Sequence, residues 1–567
     1  MMALRFAPLT PGKTVRARGR VAAPRWIVAS VLGLALATLA HGQAPAVPKP
    51  AAQVQVPYQR ILKSADEPGN WLTYGGNYSN HRFSKLTQIT PANVAELTPK
   101  WIYQQSDTSK WEVTPLVVDG VIYVSERPNI VTALDGRTGR PLWNYRRPFP
   151  TDASVCCGTP NRGLAILGDS IYLATFDAHL VCLDASTGKE RWDVAVVDYK
   201  LGYSMTLAPL AVKDKIIVGV SGGEFGVRGF LAAHDAKTGK QAWQFWTVPF
   251  PGEPGNESWS GESWKTGGAP TWLTGAYDPA LNLIYWGCGN PSPDYNGDVR
   301  QGDNLYSCSE IALDADTGKL KWHFQFTPHD VHDWDSNQVP VLIDAEIGGL
   351  PRKLLVHANR NAFYYVLDRI TGEFVAGAPF SKQTWARGLD KKGRPILLPD
   401  KEPTSEGVLV YPGLEGATNW LSPAYNPMTG LFYVQTKEDY GQYYYKIPSP
   451  HTVAGHFENG GGRNVLGEEP YGALKAIEAT TGKIRWEFRQ QVPGVASPNA
   501  GVLTTASGLV FSGTREGHVF ALDATTGKLL WNFNTGGAIW GGTVTFLIDG
   551  KQHIAVPAGA GLYVFGR

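Results

Sequence analysis

One eleven-residue segment recurs along most of the chain, and this repeat constrains the fold more than any other feature. Its clearest copy ends at Trp531 and reads Ala-Leu-Asp-Ala-Thr-Thr-Gly-Lys-Leu-Leu-Trp. An apolar strand end leads into an Asp that can bond its own backbone, Thr-Gly supplies the turn, and a new strand opens on a large aromatic side chain. Six further copies occupy residues 133–143, 182–192, 233–243, 312–322, 366–376 and 476–486, and all end in Trp except the one that ends in Ala376.

The spacing of the copies indicates the architecture. Successive copies end 49, 51, 79, 54, 110 and 45 residues apart. A period of roughly 45 to 50 residues is typical of four-stranded sheets arranged as the blades of a β-propeller. The longer intervals leave room for insertions, and the longest for another blade. Residues 97–101 resemble half a repeat that could pair with the C-terminal strands and close the ring, so the sequence predicts an all-β, eight-bladed β-propeller over residues 71–567.

The N-terminal segment differs from the rest of the chain. Four arginines between residues 16 and 25 precede an apolar run at residues 26–39, and Ala40-His-Gly42 supplies a small-residue cleavage region. This pattern predicts an export signal over residues 1–42, because the run of 14 residues is short for a membrane anchor. Residues 43–70 then form a predicted flexible leader, and the mature protein is expected in the periplasm.

Charge and cysteine content narrow the function classes further. The formal charge of +2 comes from 52 basic and 50 acidic residues, which favours neither a nucleic-acid partner nor stable membrane insertion. The five cysteines include Cys182, which replaces Ala in a repeat and is predicted to be a buried small apolar side chain. Cys288 and Cys308 fit either a disulfide or two core thiols.

Two segments carry unusual chemistry. Cys156 and Cys157 are adjacent, so a bond between them requires a strained eight-membered ring; the alternative is two free thiols. Residues 327–335 crowd several carboxylates and imidazoles together, which a cation or water must compensate if they are buried. If this segment is extended, Asp333 and Asp335 share one face with Trp334 opposite, and two carboxylates on one face suit a hard cation.

These motifs, with Asn70-Trp-Leu-Thr-Tyr-Gly-Gly at the start and Pro-His-Asp-x-x-Asp at residues 328–333, resemble the methanol and ethanol dehydrogenases that depend on pyrroloquinoline quinone (PQQ). The resemblance extends nearly to the C-terminus. It implies an eight-bladed propeller with tryptophan docking motifs. It also implies that the vicinal disulfide lies against one face of the cofactor.

The resemblance assigns a role to individual residues. The cofactor-binding residues it implies are Glu112, Cys156, Cys157, Arg162, Thr206, Ser221, Trp272, Arg360 and Asn419. Trp272 is expected to stack on the face opposite the disulfide, with Arg162, Thr206 and Ser221 on the cofactor carboxylates. Gly158-Thr-Pro160 departs from the commoner family link after the cysteines, and His332 stands where the family usually has Trp.

The metal ligands implied by the resemblance are Glu224, Asn290, Asp333 and Asp335, with Asp333 as catalytic base and Arg360 as a catalytic electrophile. Lanthanide-dependent relatives carry an Asp two places after the base, whereas calcium-dependent relatives usually do not. An extra carboxylate suits a trivalent cation, so the sequence predicts one lanthanide ion. The alternative is that Asp335 lies outside the coordination shell of Ca²⁺.

The sequence thus predicts an exported PQQ-dependent alcohol dehydrogenase that oxidises alcohols to aldehydes. It contains no Cys-x-x-Cys-His haem motif and no nicotinamide-binding glycine motif, so a separate cytochrome c is the expected electron acceptor. A homodimer is left open. The alternatives are a quinoprotein acting on sugars or aldehydes and a non-catalytic scaffold propeller, which would have no reason to keep the paired cysteines or the carboxylate cluster.

Overall fold

The computed structural model describes residues 54–107, 110–153, 157–448, 452–465, 470–490 and 499–567. The expected signal at residues 1–42 lies outside these ranges. Within them no helix has the length and apolarity that a membrane crossing requires. Helical structure there consists of α1 (Tyr58–Leu62) and 3₁₀ turns at Ser64–Asp66, Val94–Glu96, Tyr199–Leu201, Gly223–Phe225, Asn256–Ser258, Ser263–Thr266, Gly297–Val299 and Pro399–Lys401.

Strands make up most of the remaining regular structure. The first 22 are β1 (Phe83–Ser84), β2 (Thr98–Gln104), β3 (Leu116–Val118), β4 (Val121–Glu126), β5 (Ile130–Asp135), β6 (Pro141–Arg146), β7 (Ala165–Leu167), β8 (Ser170–Ala174), β9 (His179–Asp184), β10 (Glu190–Ala195), β11 (Leu210–Val212), β12 (Lys215–Gly219), β13 (Phe230–Asp235), β14 (Gln241–Trp246), β15 (Ala276–Asp278), β16 (Leu283–Gly287), β17 (Ser309–Asp314), β18 (Leu320–Gln325), β19 (Val341–Ile347), β20 (Leu350–Ala358), β21 (Phe363–Asp368) and β22 (Phe374–Pro379). The others are β23 (Ala386–Leu389), β24 (Pro395–Leu397), β25 (Val408–Val410), β26 (Ala424–Asn426), β27 (Leu431–Glu438), β28 (Gln442–Lys446), β29 (Gly461–Val465), β30 (Tyr471–Glu478), β31 (Ile484–Arg489), β32 (Asn499–Thr505), β33 (Leu509–Gly513), β34 (His518–Asp523), β35 (Leu529–Asn534), β36 (Val544–Ile548), β37 (Lys551–Ala558) and β38 (Gly561–Gly566).

Four-stranded antiparallel sheets dominate the described part of the chain. They are formed by β3–β6, β7–β10, β11–β14, β15–β18, β19–β22, by β26, β27, β30 and β31, by β32–β35, and by β36–β38 with β2; β1 adds a parallel edge to β32. The middle strands, such as β4 and β5, are almost wholly buried, whereas the outer strand β6 alternates between half-buried and exposed residues. The core therefore lies between neighbouring sheets.

Each repeat forms the turn between the third and fourth strands of a sheet. In the copy at residues 312–322, Asp314 Oδ1 accepts the backbone N–H of Thr317 at 3.0 Å, and Gly318 takes the left-handed conformation with φ +68°. A Cβ at Gly318 would lie 2.5 Å from Trp243 Cε3 of the preceding sheet, so only glycine fits. Trp243 Nε1 also donates to Ala315 O at 3.1 Å, which locks the two sheets together.

The same contact joins several other neighbouring sheets. Trp101 packs on Gly139, Trp143 on Gly188, Trp322 on Gly372 and Trp486 on Gly527. The copy that ends in Ala376 lacks the aromatic ring, and Gly482 of the next copy meets Ala378 instead.

The two long-range expectations have different outcomes. Residues 97–101 were expected to pair with the C-terminal strands, and β2 does pair with β38, with Trp101 opposite Val564, so this prediction is confirmed. The longest interval was expected to leave room for another blade. Among its described residues, β26, β27 and β30 belong to the sheet that holds the repeat ending at Trp486, and the other strands form only the small sheets β23–β24 and β25–β28–β29 rather than an additional four-stranded sheet.

The ordered structure begins before the expected boundary at residue 71. Val54, Val56 and Ile61 are buried, and Val56 forms a β-bridge with Gly168. These three apolar side chains hold residues 54–62 against the second sheet. Cys182, Cys288 and Cys308 are free and buried, which confirms the prediction for Cys182 and decides in favour of core thiols for the other two.

Candidate active site

The predicted site residues come together because antiparallel pairing brings two kinds of loop to the same end of each sheet. One kind precedes the first strand of a sheet and carries Glu112, Arg162, Thr206, Trp272, Asp333, Asp335 and Asn419. The other kind follows the second strand and carries Ser221, Glu224, Asn290 and Arg360. The start of a first strand and the end of its antiparallel second strand are adjacent, so the repeats themselves place these loops side by side.

These loops enclose a cavity of about 410 Å³. Its lining contains every predicted site residue that the structure describes: Glu112, Cys157, Arg162, Thr206, Ser221, Glu224, Trp272, Asn290, Asp333, Asp335, Arg360 and Asn419. Cys156 lies outside the described residues, so its bond to Cys157 stays a prediction.

One side of the cavity, which we call the cofactor wall, consists of Glu112, Arg162, Thr206, Ser221 and Trp272. Arg162 Nη2 lies 2.8 Å from Glu112 Oε2, and its Nη1 donates to Thr206 Oγ1 at 2.7 Å. Thr206 Oγ1 and Ser221 Oγ are 3.1 Å apart, and the Arg162 guanidinium lies 4.9 Å from the centre of the Trp272 ring. Arg162 Nε is buried without a hydrogen-bond partner in the described part of the chain, so it remains available for an anionic ligand.

The other side, the acidic wall, consists of Glu224, Asn290, Asp333 and Asp335. Asp335 Oδ1 accepts the backbone N–H of Asn290 at 3.0 Å, and its Oδ2 accepts Arg360 Nη1 at 2.5 Å. Glu224 follows the glycine pair Gly222-Gly223, whose backbone also lines the cavity. Burial, together with the negative charges of Asp335 and Glu224, raises the pKa of Asp333 well above its ordinary value, although Arg360 opposes the shift.

A hard cation fits the acidic wall. Burial and the charge of Asp335 raise the pKa of Glu224 as well, so two neighbouring carboxylates resist ionisation until a positive charge joins them. Carboxylate and amide oxygens are the ligands that such cations prefer. Among the described residues no three His, Cys, Asp or Glu side chains lie in an arrangement that could by itself hold a metal ion, and the Asp335 carboxylate of the acidic wall is paired with Arg360.

Residues 327–335, before β19, do not form the extended segment that would place Asp333 and Asp335 on one face by alternation alone. Asp333 takes a left-handed conformation with φ +60°, and Asp330 accepts the backbone N–H of Trp334 at 3.0 Å, which tightens the loop. Both Asp333 and Asp335 nevertheless line the cavity, while Trp334 is fully buried against Trp385.

His332 does not line the cavity. It stacks on Trp334 with ring centres 4.3 Å apart, and its Nε2 lies 3.0 Å from Lys401 O. Burial lowers the pKa of His332 to about 4, so the imidazole is neutral at pH 7. The replacement of a family Trp by His therefore changes the packing under the site rather than its lining.

Arg360 and Asn419 complete the lining next to Asp335. Arg360 Nη2 donates to Leu414 O at 2.7 Å, while its Nε is buried without a partner among the described residues. Asn419 Nδ2 donates to Glu415 O at 3.1 Å. Arg360 is thus fixed at both ends of its guanidinium and keeps one N–H for a ligand.

Sequence reasoning missed several residues here. Asp294 is 2% exposed, and its Oδ1 accepts Asn290 Nδ2 at 2.7 Å. Lys437 lines the cavity and pairs with Glu415, and burial lowers its pKa well below the ordinary value. The available signals were a carboxylate four residues after Asn290 and a lysine at the end of the apolar strand β27.

Comparisons with known proteins identify the family. The family model described as glucose/ethanol/alcohol dehydrogenase, beta-propeller domain, under the name PQQ, matches residues 71–380 and 382–554. Quinoprotein alcohol dehydrogenase PedH of Pseudomonas putida is 40% identical, over 90% of this chain and 89% of its own. The lanthanide-dependent methanol dehydrogenase of Methylacidiphilum fumariolicum is 38% identical, over 88% of this chain and 86% of its own.

A solved structure described as a europium-containing methanol dehydrogenase superposes with a TM-score of 0.83 at 36% identity, covering 90% of this chain and 100% of its own. Fold and cavity therefore define a β-propeller dehydrogenase of the PQQ class. The chain belongs to the family of PQQ-dependent quinoprotein alcohol dehydrogenases.

Proposed function

We propose that this protein oxidises alcohols to aldehydes in the periplasm, with PQQ and one metal ion in the cavity and a cytochrome c as electron acceptor. One observation carries the proposal: a wall of ion-paired and hydrogen-bonded polar side chains faces the same cavity as a cluster of buried carboxylates. A scaffold propeller would gain nothing from burying Glu224, Asp333 and Asp335 at one cavity wall.

The cofactor wall suits a flat tricarboxylate. Arg162, Thr206 and Ser221 offer a guanidinium and two hydroxyl groups for its carboxylates, and Trp272 offers an indole face for its rings. We place the Cys156–Cys157 disulfide on the opposite face, with Glu112 and Asn419 at the edges. The Nε atoms of Arg162 and Arg360 have no hydrogen-bond partner among the residues that the structure describes, and a bound cofactor can accept from both.

The acidic wall holds the metal ion through Glu224, Asn290, Asp333 and Asp335. We propose a lanthanide, because Asp335 adds a carboxylate that a trivalent cation can use and because relatives named as lanthanide-dependent and europium-containing cover most of the chain. Calcium is the alternative, with Asp335 bonded to Arg360 and the Asn290 backbone N–H and outside the coordination shell.

When bound, PQQ would supply the two-electron oxidant that takes up a hydride, and a cation on the acidic wall would supply Lewis acidity beside it. Asp333 accepts the hydroxyl proton of the alcohol as the hydrogen on the adjacent carbon leaves with its electron pair. Arg360 is held by Asp335 and Leu414 O, so its guanidinium is fixed where negative charge develops. Burial of Asp333 keeps water away from the proton transfer.

The same proposal covers the architecture and location. Residues 1–42 act as a cleaved export signal, residues 43–70 form a leader of which residues 54–62 pack on the second sheet, and residues 71–567 form the propeller. The eight four-stranded sheets are its blades, and the Trp–Gly contacts between neighbouring sheets are tryptophan docking motifs.

Dye-linked alcohol oxidation tests the proposal. The signal-less protein is loaded with PQQ and assayed with La³⁺ or Ca²⁺, as wild type, as Asp335→Ala, and as the exposed control Asp298→Ala. Activity that requires La³⁺ and disappears only in Asp335→Ala supports both the chemistry and the metal. Equal activity with Ca²⁺ would contradict the proposed lanthanide. Failure to bind PQQ with either metal would contradict the proposed alcohol dehydrogenase activity.

A further inference from the structure

Asn290 poses a problem of orientation at the acidic wall. An Asn side chain presents an oxygen on one side and an NH₂ group on the other, and the two ends are nearly equal in shape. Only the oxygen can bind a cation, whereas the NH₂ group would repel it. A metal ligand of this type therefore needs a second group that distinguishes its two ends.

Asp294 is placed to do this. Its Oδ1 accepts Asn290 Nδ2 at 2.7 Å, and a carboxyl oxygen accepts this hydrogen bond whether or not the group is ionised. With Nδ2 turned to Asp294, Asn290 Oδ1 points toward the Glu224 loop, where it lies 3.0 Å from the position of a Cβ at Gly223.

The loop that carries Asp294 is held independently of Asn290. Arg300 is fully buried, and its Nη2 donates to Pro293 O at 2.9 Å and to Asp330 O at 2.6 Å. One guanidinium thus ties the Asp294 loop to the segment that leads to the base Asp333. Asp294 consequently has a fixed position from which to orient its neighbour.

We propose that Asp294 is a positioning residue that fixes the Asn290 amide with its oxygen toward the metal ion. The inference rests on the proposed function, since it takes Asn290 to be a metal ligand. Asp294 contributes no coordination bond; it excludes the amide orientation that would present NH₂ to the cation. Its loss is expected to weaken metal binding by about 10- to 100-fold, the usual cost of removing such a supporting group.

The first experiment measures La³⁺ affinity by calorimetry on PQQ-loaded protein stripped of metal. Asp294→Ala should bind La³⁺ about 10- to 100-fold more weakly. Asp294→Asn keeps an acceptor oxygen without the charge, so it should stay within about threefold of wild type. Equal losses in both variants would show that charge, not orientation, is responsible and would overturn the proposal, as would wild-type affinity in Asp294→Ala.

Two further variants separate this inference from simpler explanations. Asn296→Ala removes two hydrogen bonds of the same loop, one to Ile447 O and one from the backbone N–H of Asp298, and neither involves Asn290. It therefore controls for loosening of the loop and should leave La³⁺ affinity unchanged. Asn290→Ala tests the metal site itself. If Asn290→Ala binds La³⁺ normally, the proposed ligand set is wrong; if only Asp294→Ala does, the ligand set stands and the positioning role fails.

A rescue experiment gives the sharpest test. A carboxylate at position 290 has two equivalent oxygens and needs no partner to orient it. Asn290→Asp should therefore raise La³⁺ affinity about tenfold more in the Asp294→Ala background than in the Asp294→Asn background, where the amide at position 290 is already oriented. Both backgrounds are neutral at position 294, so the charge added at position 290 acts equally in them, and equal gains overturn the proposal.

Discussion

The two walls of the cavity treat their charged groups differently. On the cofactor wall, Arg162 is paired with Glu112 and hydrogen-bonded to Thr206, so its guanidinium is compensated by the protein. On the acidic wall, Asp333 and Glu224 have raised pKa values because burial and neighbouring carboxylates oppose their ionisation. The cofactor wall thus pairs its charged groups within the protein, whereas we propose that a bound cation compensates Asp333 and Glu224 on the acidic wall.

This difference separates the expected effects of substitution. Changes on the acidic wall should alter metal binding and turnover while PQQ still binds. Changes on the cofactor wall should alter folding stability and PQQ affinity, with or without metal. A substitution on one wall that also changes the property assigned to the other wall would show that the two walls act as one unit.

The largest effect on turnover is expected for Asp333→Asn. Removal of the carboxylate that we propose as the acceptor of the hydroxyl proton should lower kcat by about 10²- to 10⁴-fold. The cofactor wall is unchanged, so PQQ should bind with wild-type affinity in an absorbance titration. A parallel loss of PQQ affinity would contradict the separation of the walls; Asp298→Ala, an exposed carboxylate paired with Lys446, is the control.

On the cofactor wall, Arg162→Ala should lower the free energy of unfolding of the metal-free protein by about 3–5 kcal/mol, because it leaves Glu112 buried without its partner. The added substitution Glu112→Ala should recover part of this loss in urea unfolding. Arg191→Ala breaks the more exposed pair with Asp169 and should cost only about 0–1 kcal/mol. A loss of similar size in both arginine variants would mean that the cofactor wall is not preformed.

The effect of La³⁺ on the free energy of unfolding tests the acidic wall. La³⁺ at about 100 times its dissociation constant should stabilise the folded protein by about 2.7 kcal/mol, because it binds only the folded state. The gain should fall in Asp335→Ala and persist in Arg162→Ala, as measured by urea unfolding with and without La³⁺. Persistence of the full gain in Asp335→Ala would place the ion elsewhere.

Much of the fold was predictable because the residue types of the repeat determine the turn that it forms. The Asp, the Gly and the terminal Trp of residues 312–322 each make the local contact that their residue type suggests. The pairing of β2 with β38 followed from the half repeat at residues 97–101. The content of the longest interval did not follow, because short strands such as β23 and β25 carry no repeat and are fixed by tertiary contacts.

The site likewise contains residues that the sequence identified and residues that only the structure reveals. The resemblance pointed to residues such as Arg162, Asp333 and Asp335, and the cavity brings them together. It could not reveal Asp294, since a carboxylate between prolines and aromatics usually indicates a solvated turn, and only its distance from Asn290 gives it a role. The left-handed backbone at Asp333 was also hidden, because Asp330 and the surrounding packing impose it.

The smallest expected effects come from substitutions that remove single hydrogen bonds between side chains of the cofactor wall. Thr206→Val removes the hydroxyl that accepts Arg162 Nη1, but Thr206 O remains 3.4 Å from the same nitrogen. We therefore expect a loss of about 1 kcal/mol in stability and about a fivefold loss in PQQ affinity, with La³⁺ affinity unchanged. Ser221→Ala removes only the contact to Thr206 and should cost less. If Ser221→Ala costs more than Thr206→Val, Ser221 rather than Arg162 is the main anchor of the cofactor carboxylates, and the preformed ion pair serves the fold more than the ligand.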